Sequence, residues 1–246
     1  MKARISLLIG LMALAIFLGF IIFSTQEAPV AAELTEEAAG PELTPEERAA
    51  VMVDNEKGLF ILVDKEHPIT KEYIPGDLSP IAHFAKDRTP EGRFMRTEAA
   101  VAFDTMCDAA TAAGYEIVTT TAYRSYDFQA SLYSYYVNLE GQEWADINIA
   151  QPGTSEHQTG LAADCSSPSV AYELVVEFGD TPEGIWLRDH AHSYGFIIRY
   201  PKDRQDITGF TYEPWHIRYV GVAAAAFIHN NDLTLEEFLQ DYFTKQ

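Results

Sequence analysis

Ser155-Glu156-His157-Gln158-Thr159-Gly160-Leu161-Ala162-Ala163-Asp164 is the stretch from which the rest of this chain can be read, together with Glu213-Pro214-Trp215-His216 about fifty residues later. His157, Asp164 and His216 supply two imidazoles and a carboxylate, and Glu213 adds a second carboxylate beside the last of them. Those are the donors a catalytic zinc ion takes: three protein ligands, a fourth position left for water, and a base nearby. His157 and Asp164 are seven residues apart, too far for one helical turn. The intervening Gly160 predicts a turn that brings a loop histidine back over a strand aspartate. Glu213 and His216 are three apart, and in a regular strand such residues face opposite sides. Pro214 cannot donate to a ladder and biases Glu213 to an extended conformation, so the strand is predicted to be irregular there. Both side chains then approach one metal, and the constellation reads as a zinc hydrolase site.

The chain has seven histidines. His190 and His192 form a His-x-His pair, but within a predicted helix residues i and i+2 lie about 200° apart and cannot share an ion. They are assigned to helix packing or the surface. His67 precedes Pro68 in a loop, and His83 and His229 lack acidic or histidine neighbours at useful spacing; all three are assigned structural roles. The run Thr121-Ala122-Tyr123-Arg124-Ser125-Tyr126-Asp127-Phe128-Gln129 places an arginine where a strand ends and a helix begins. Arginine captures a carboxylate bidentately, so Arg124 is a candidate for holding the terminal carboxylate of a substrate; a structural salt bridge is the alternative.

The 246 residues allow one domain of ordinary size plus an appendage, and 47% apolar content is enough for a core. A net charge of -20 argues against nucleic acid or an anionic membrane surface as partner. Much of that excess lies in residues 27–56 and describes a tail more than a binding face. Cys107 and Cys165 are the two cysteines. Extracellular placement would permit a disulfide between them, and two buried free thiols are the other reading. Neither lies in a Cys-x-x-Cys pair, which excludes a structural zinc knuckle.

Lys2 and Arg4 precede a run without charge over residues 5–23, long for a cleaved signal and long enough for a membrane helix. Residues 1–25 are therefore expected to anchor the chain at the cell membrane by a single pass, with everything after Ser24 outside; cleavage would make the protein secreted. Residues 26–58 are expected to be an acidic extracellular spacer. Within it, Thr44 as N-cap, Pro45 at the first position and Glu47 three residues on predict a capped helix start. Residues 59–246 form the expected catalytic domain. The patterning predicts a strand at 60–63, a helix over 97–113 ended by Gly114, a β-rich segment at 115–122 and a helix over 125–139. Further strands are expected at 161–165 and 209–219, with a helix over 184–194 closed by Gly195. Mixed elements without a regular βαβ rhythm favour an α+β class with a largely antiparallel sheet and flanking helices.

Ser155-x-His157-x-x-Gly160-x-Ala162-x-Asp164, Glu213-x-Trp215-His216 and the Tyr123-Arg124-Ser125 run ending in Gln129 resemble the VanY-like D-alanyl-D-alanine carboxypeptidases of the M15 peptidases. The resemblance covers about residues 59–240, including Val63-x-Lys65-x-His67-Pro68 and Tyr194-Gly195-Phe196. It implies the hedgehog/D,D-peptidase α+β fold and a zinc ion held by His157, Asp164 and His216. It also implies Glu213 as catalytic base, Arg124 as the C-terminal carboxylate binder, and Ser155 and Gln129 lining the substrate pocket. The implied reaction removes the C-terminal D-alanine from peptidoglycan stem peptides. An L,D-carboxypeptidase or D,D-dipeptidase of the same family shares the motifs, and a non-catalytic zinc-containing cell-wall-binding module is the rival class. Glu213 speaks against the module, and Arg124 against an endopeptidase. Thr121-Ala122 stands where members often have Ser-Gly, which touches substrate choice and removes no reacting group.

Overall fold

The protein is described by a computed structural model over residues 42–85 and 90–243. In chain order its elements are α1 (Pro45–Glu56), β1 (Leu78–Pro80), β2 (Phe94–Arg96), α2 (Thr97–Ala112), β3 (Val118–Thr121), α3 (Tyr126–Glu140), α4 (Gln142–Asn148), β4 (Ala162–Ser166), α5 (Pro182–His190), β5 (Phe196–Tyr200), α6 (Gln205–Thr208), β6 (Glu213–Tyr219), α7 (Val222–Asn230) and α8 (Leu235–Glu237). The membrane anchor expected over 1–25 lies outside the described residues, as does the first part of the expected spacer. Among the described residues no helix is long and apolar enough to cross a membrane.

The main sheet has the order β3-β4-β6-β5, antiparallel throughout. Its two faces follow from the period of two along each strand. Ala163 and Cys165 of β4, Ile217 and Tyr219 of β6, and Phe196 and Ile198 of β5 alternate onto one face and join the larger core cluster. Helix α2 covers that face with Ala99, Ala100, Phe103, Met106, Cys107 and Ala110, a stripe at helical spacing. Phe103 meets Phe196 edge-on, with ring centroids 6.1 Å apart. Burying each such large side chain contributes about 1.5–3 kcal/mol. The opposite face carries Asp164, His216, Arg218 and Arg199, all buried. The sheet thus separates an apolar core from a buried polar layer.

Several sequence expectations shift. The Thr44 capping box forms as read, with Thr44 Oγ1 accepting from the Glu47 amide and Glu47 accepting from the Thr44 amide. The spacer does not extend to residue 58, however. Leu43 and Val51 bury in a second cluster with Phe60, Ile197, Ala224 and Phe238. The expected strand at 60–63 is absent. There the carbonyls of Leu59 and Ile61 accept from the Arg218 guanidinium, each at 2.8 Å, instead of entering a ladder. Strand β5 and helix α7 were not anticipated; the short run Phe196-Ile197-Ile198 and the alanines after Gly221 do not distinguish strand from helix by period alone. The cysteines are both free and buried.

Candidate active site

Strand register builds the centre. Asp164 of β4 lies directly opposite His216 of β6, so the two side chains leave the same face of the sheet as a cross-strand pair. His157 reaches them from a 3-10 turn over Glu156–Thr159 that ends at Gly160, φ +70°. A Cβ there would meet Leu78 Cδ2 at 2.9 Å and Arg96 Cγ at 3.2 Å; those side chains can shift, but the left-handed backbone itself favours glycine. Glu213 and His216 come together because β6 bulges. From Ile198 to Tyr200 β5 advances two residues while β6 advances four, from Ile217 to Glu213. Pro214 sits in that bulge, where it owes the ladder no hydrogen bond.

Ligating atoms of His157, Asp164 and His216 lie within 4.8 Å of one another, the one such group of three found among the described residues. His157 Nε2 is 3.2 Å from Asp164 Oδ2, and His216 Nδ1 is 3.0 Å from Asp164 Oδ1. His157 Nδ1 lies 2.6 Å from the Ala122 carbonyl oxygen. A carbonyl only accepts, so Nδ1 carries the proton and Nε2 presents its lone pair. Burial lowers the pKa of His157, keeping it neutral. Burial alone would raise Asp164, but His157 and His216 hold it well below the usual carboxylate range. Burial would lower His216; its hydrogen bond to Asp164 and the Glu156 carboxylate beside it outweigh that and push it up to about 9. A cation taking Nδ1 would displace that proton. Two converging imidazole nitrogens and an ionised carboxylate fit a zinc ion, with no fourth protein ligand in the group.

Glu213 Oε2 stands 3.8 Å from His216 Nδ1. Burial pushes its carboxyl up to about 7, with Asp164 adding to the rise and His216 and Arg124 opposing it. Arg124 lies between β3 and α3, as the sequence suggested. Its Nη1 donates to Gln129 Oε1 at 2.8 Å, and its Nη2 is 3.5 Å from Asp164 Oδ2. Gln129 in turn donates to the Ala150 carbonyl at 2.6 Å, so it holds the guanidinium in place. All of these, with Ser155, line one cleft of about 530 Å³ whose apolar walls include Tyr136, Phe210 and Trp215. The remaining histidines stay outside the centre. His190 stacks on Trp186 and His192 on His229, while His67 and His83 pair with Asp64 and Asp108.

Sequence reasoning passed over Glu156, Arg199 and Arg218. Glu156 Oε1 accepts from Arg199 Nε at 2.8 Å and from Arg218 Nη1 at 2.7 Å, with all three side chains fully buried. Burial would raise Glu156, but the two arginines hold it well below the usual carboxylate range. The signal was present: Ile198-Arg199-Tyr200 and Ile217-Arg218-Tyr219 each set an arginine inside an apolar strand run, and a charge so placed requires a buried partner.

Several known proteins are similar to this chain. The profile of a family described as VanY, D-alanyl-D-alanine carboxypeptidase, matches residues 92–222. The putative carboxypeptidase YodJ of Bacillus subtilis (strain 168) is 47% identical over 189 residues, spanning 76% of this chain and 69% of that protein. The solved structure of the LdcB LD-carboxypeptidase, described as revealing peptidoglycan recognition, superposes with a TM-score of 0.70 at 48% identity, covering 74% of this chain and 85% of that one. A mutant of the vancomycin resistance D,D-pentapeptidase VanY, solved in complex with Zn(II), gives 0.60 at 31% identity, covering 74% and 98%.

Proposed function

The chain belongs to the VanY family of D-alanyl-D-alanine carboxypeptidases and is a hydrolase acting on peptide bonds; from that premise we propose that it is a zinc-dependent carboxypeptidase releasing the C-terminal D-alanine of peptidoglycan stem peptides. The observation that carries this reading is the grouping of ligating atoms of His157, Asp164 and His216 within 4.8 Å of one another, with Glu213 3.8 Å from His216 and Arg124 3.5 Å from Asp164. His157, Asp164 and His216 would hold the zinc ion, which would supply a Lewis acid to acidify a water and polarise the scissile carbonyl. Glu213 accepts the water's proton and returns it to the leaving amine. Arg124, held by Gln129, grips the free C-terminal carboxylate and so fixes cleavage one residue from the end. Ser155 lines the wall beside the turn that carries His157. Partial burial of Glu213 in the cleft raises its basicity. A purely structural zinc site closes with a fourth protein ligand, whereas three donors group here, which supports catalysis over a binding module. The extracellular placement expected from residues 5–23 belongs to the same reading.

A second reading has its own support. Identity to LdcB is 48%, against 31% to the D,D-pentapeptidase VanY, which favours an L-centre before the terminal D-alanine. Both readings are tested by incubating the protein with muropeptides ending in a tetrapeptide or a pentapeptide and following the products by mass spectrometry. Loss of one alanine from the pentapeptide marks the D,D reaction, loss of one from the tetrapeptide the L,D reaction. Release of a dipeptide, or no change sensitive to a zinc chelator, would sink the proposal.

The pH profile provides a separate check. Glu213 works as a carboxylate and its pKa is raised from 4.5 to about 7; a bound cation pulls it part of the way back. kcat/KM should therefore rise with pH through an acid limb lying between those two values. A limb below 4.5 would show that Glu213 is not the titrating base.

A further inference from the structure

Beneath the metal ligands lies a third carboxylate, one that the reaction does not use. Glu156 receives both guanidinium bonds, from Arg199 and from Arg218, on the single oxygen Oε1. Its other oxygen, Oε2, is buried with no hydrogen-bond partner among the described residues, and so is His216 Nε2. These two unpartnered atoms lie 3.5 Å apart, at the outer limit of hydrogen-bonding distance. A carboxylate serving only to neutralise two arginines gains most by sharing both oxygens between them. Leaving one buried oxygen unbonded is costly unless a donor is aimed at it. The rest of the layer fixes where Glu156 can point. Arg199 is held on its far side by Glu236 at 2.6 and 3.0 Å, and Arg218 by the carbonyls of Leu59 and Ile61. Two guanidiniums and two carboxylates balance in charge, so Glu156 is clamped from behind while Oε2 stays free to face the histidine.

We propose that Glu156 is a positioning residue of the metal centre, its Oε2 accepting the Nε2–H of His216 and so presenting Nδ1, lone pair outward, beside Asp164. The inference rests on the zinc reading above. It makes the two histidines equivalent in design: a carbonyl oxygen orients His157 and a carboxylate oxygen orients His216. Such outer partners typically change metal affinity or activity by about 10–100-fold when removed.

The test compares the full chain with Glu156→Gln and Glu236→Gln, using zinc affinity by chelator competition, the visible spectrum of the cobalt(II)-substituted protein, and the melting temperature without metal. Both substitutions remove one negative charge from the same clamp, so a merely structural role predicts a lower melting temperature in each, larger for the more deeply buried Glu156, and no selective effect on metal. The expected result is a fall in zinc affinity of about 10–100-fold and an altered cobalt spectrum in Glu156→Gln, with both near wild type in Glu236→Gln. Zinc binding and a cobalt spectrum unchanged in Glu156→Gln would overturn the inference while leaving the metal reading intact. A wild-type chain that binds no zinc would overturn both. Should Glu156→Gln not fold, nitrogen-15 spectra of the zinc-loaded wild type decide. A slowly exchanging Nε2 proton on His216, with Nδ1 metal-bound, supports the inference, and metal on Nε2 refutes it.

Discussion

Glu213→Gln should retain its metal and lose about 10²–10⁴-fold in kcat, the usual cost of deleting a general base. The amide matches the carboxylate in shape and stays in the bulge made by Pro214, so the three proposed ligands keep their register. It cannot accept a proton. Because the lost step occurs only after substrate is bound, KM should move far less than kcat. Burial reinforces the effect: a carboxyl raised to about 7 is a much stronger base than an exposed one, and no other carboxylate in the cleft can replace it. Asp164 is held well below the usual range by His157 and His216. Steady-state kinetics beside zinc quantification will check this. A metal-loaded Gln variant turning over near the wild-type rate would remove Glu213 from the chemistry.

Arg124→Ala should lower kcat/KM by about 10–150-fold, since a charge-assisted hydrogen bond is worth roughly 1.5–3 kcal/mol. The loss should depend on the substrate. A peptide with an amidated C-terminus keeps the scissile bond but lacks the charge to be gripped, so it should be poor for the wild type and little affected by the substitution. The arginine is suited to this role: Gln129 occupies Nη1, while among the described residues Nη2 makes a long 3.5 Å contact to Asp164. Equal turnover of free-acid and amidated peptides by the wild type would transfer the assignment from carboxypeptidase to endopeptidase.

The sequence made the centre legible because its chemistry is concentrated in two short motifs and one arginine. Gly160 and Pro214 announced the turn and the bulge that bring His157 and Glu213 into place, and both features are present. What stayed hidden depends on partners far along the chain. Glu156 lies inside the quoted motif, yet its role is set by Arg199 and Arg218, 43 and 62 residues away. The segment at 60–63 has the apolar character of a strand but spends its carbonyls on a guanidinium, which local patterning cannot foresee. Likewise, the packing of Leu43 and Val51 depends on α7 and α8, so composition alone placed the domain boundary too late.

Cys165 sits next to the proposed ligand Asp164 on β4 but points the opposite way, into the cluster that also buries Cys107 of α2. Burial pushes both thiols well above their ordinary pKa, with nearby carboxylates adding to the rise. Neither sulfur is therefore nucleophilic or reachable while α2 stays seated on the sheet, and an alkylating reagent can report only how often that layer lifts. A strand cannot release its inner face and hold its outer one. A cation gripping Asp164 binds the closed form alone, so it should also slow the clock kept by the two sulfurs on the far side of the same strand.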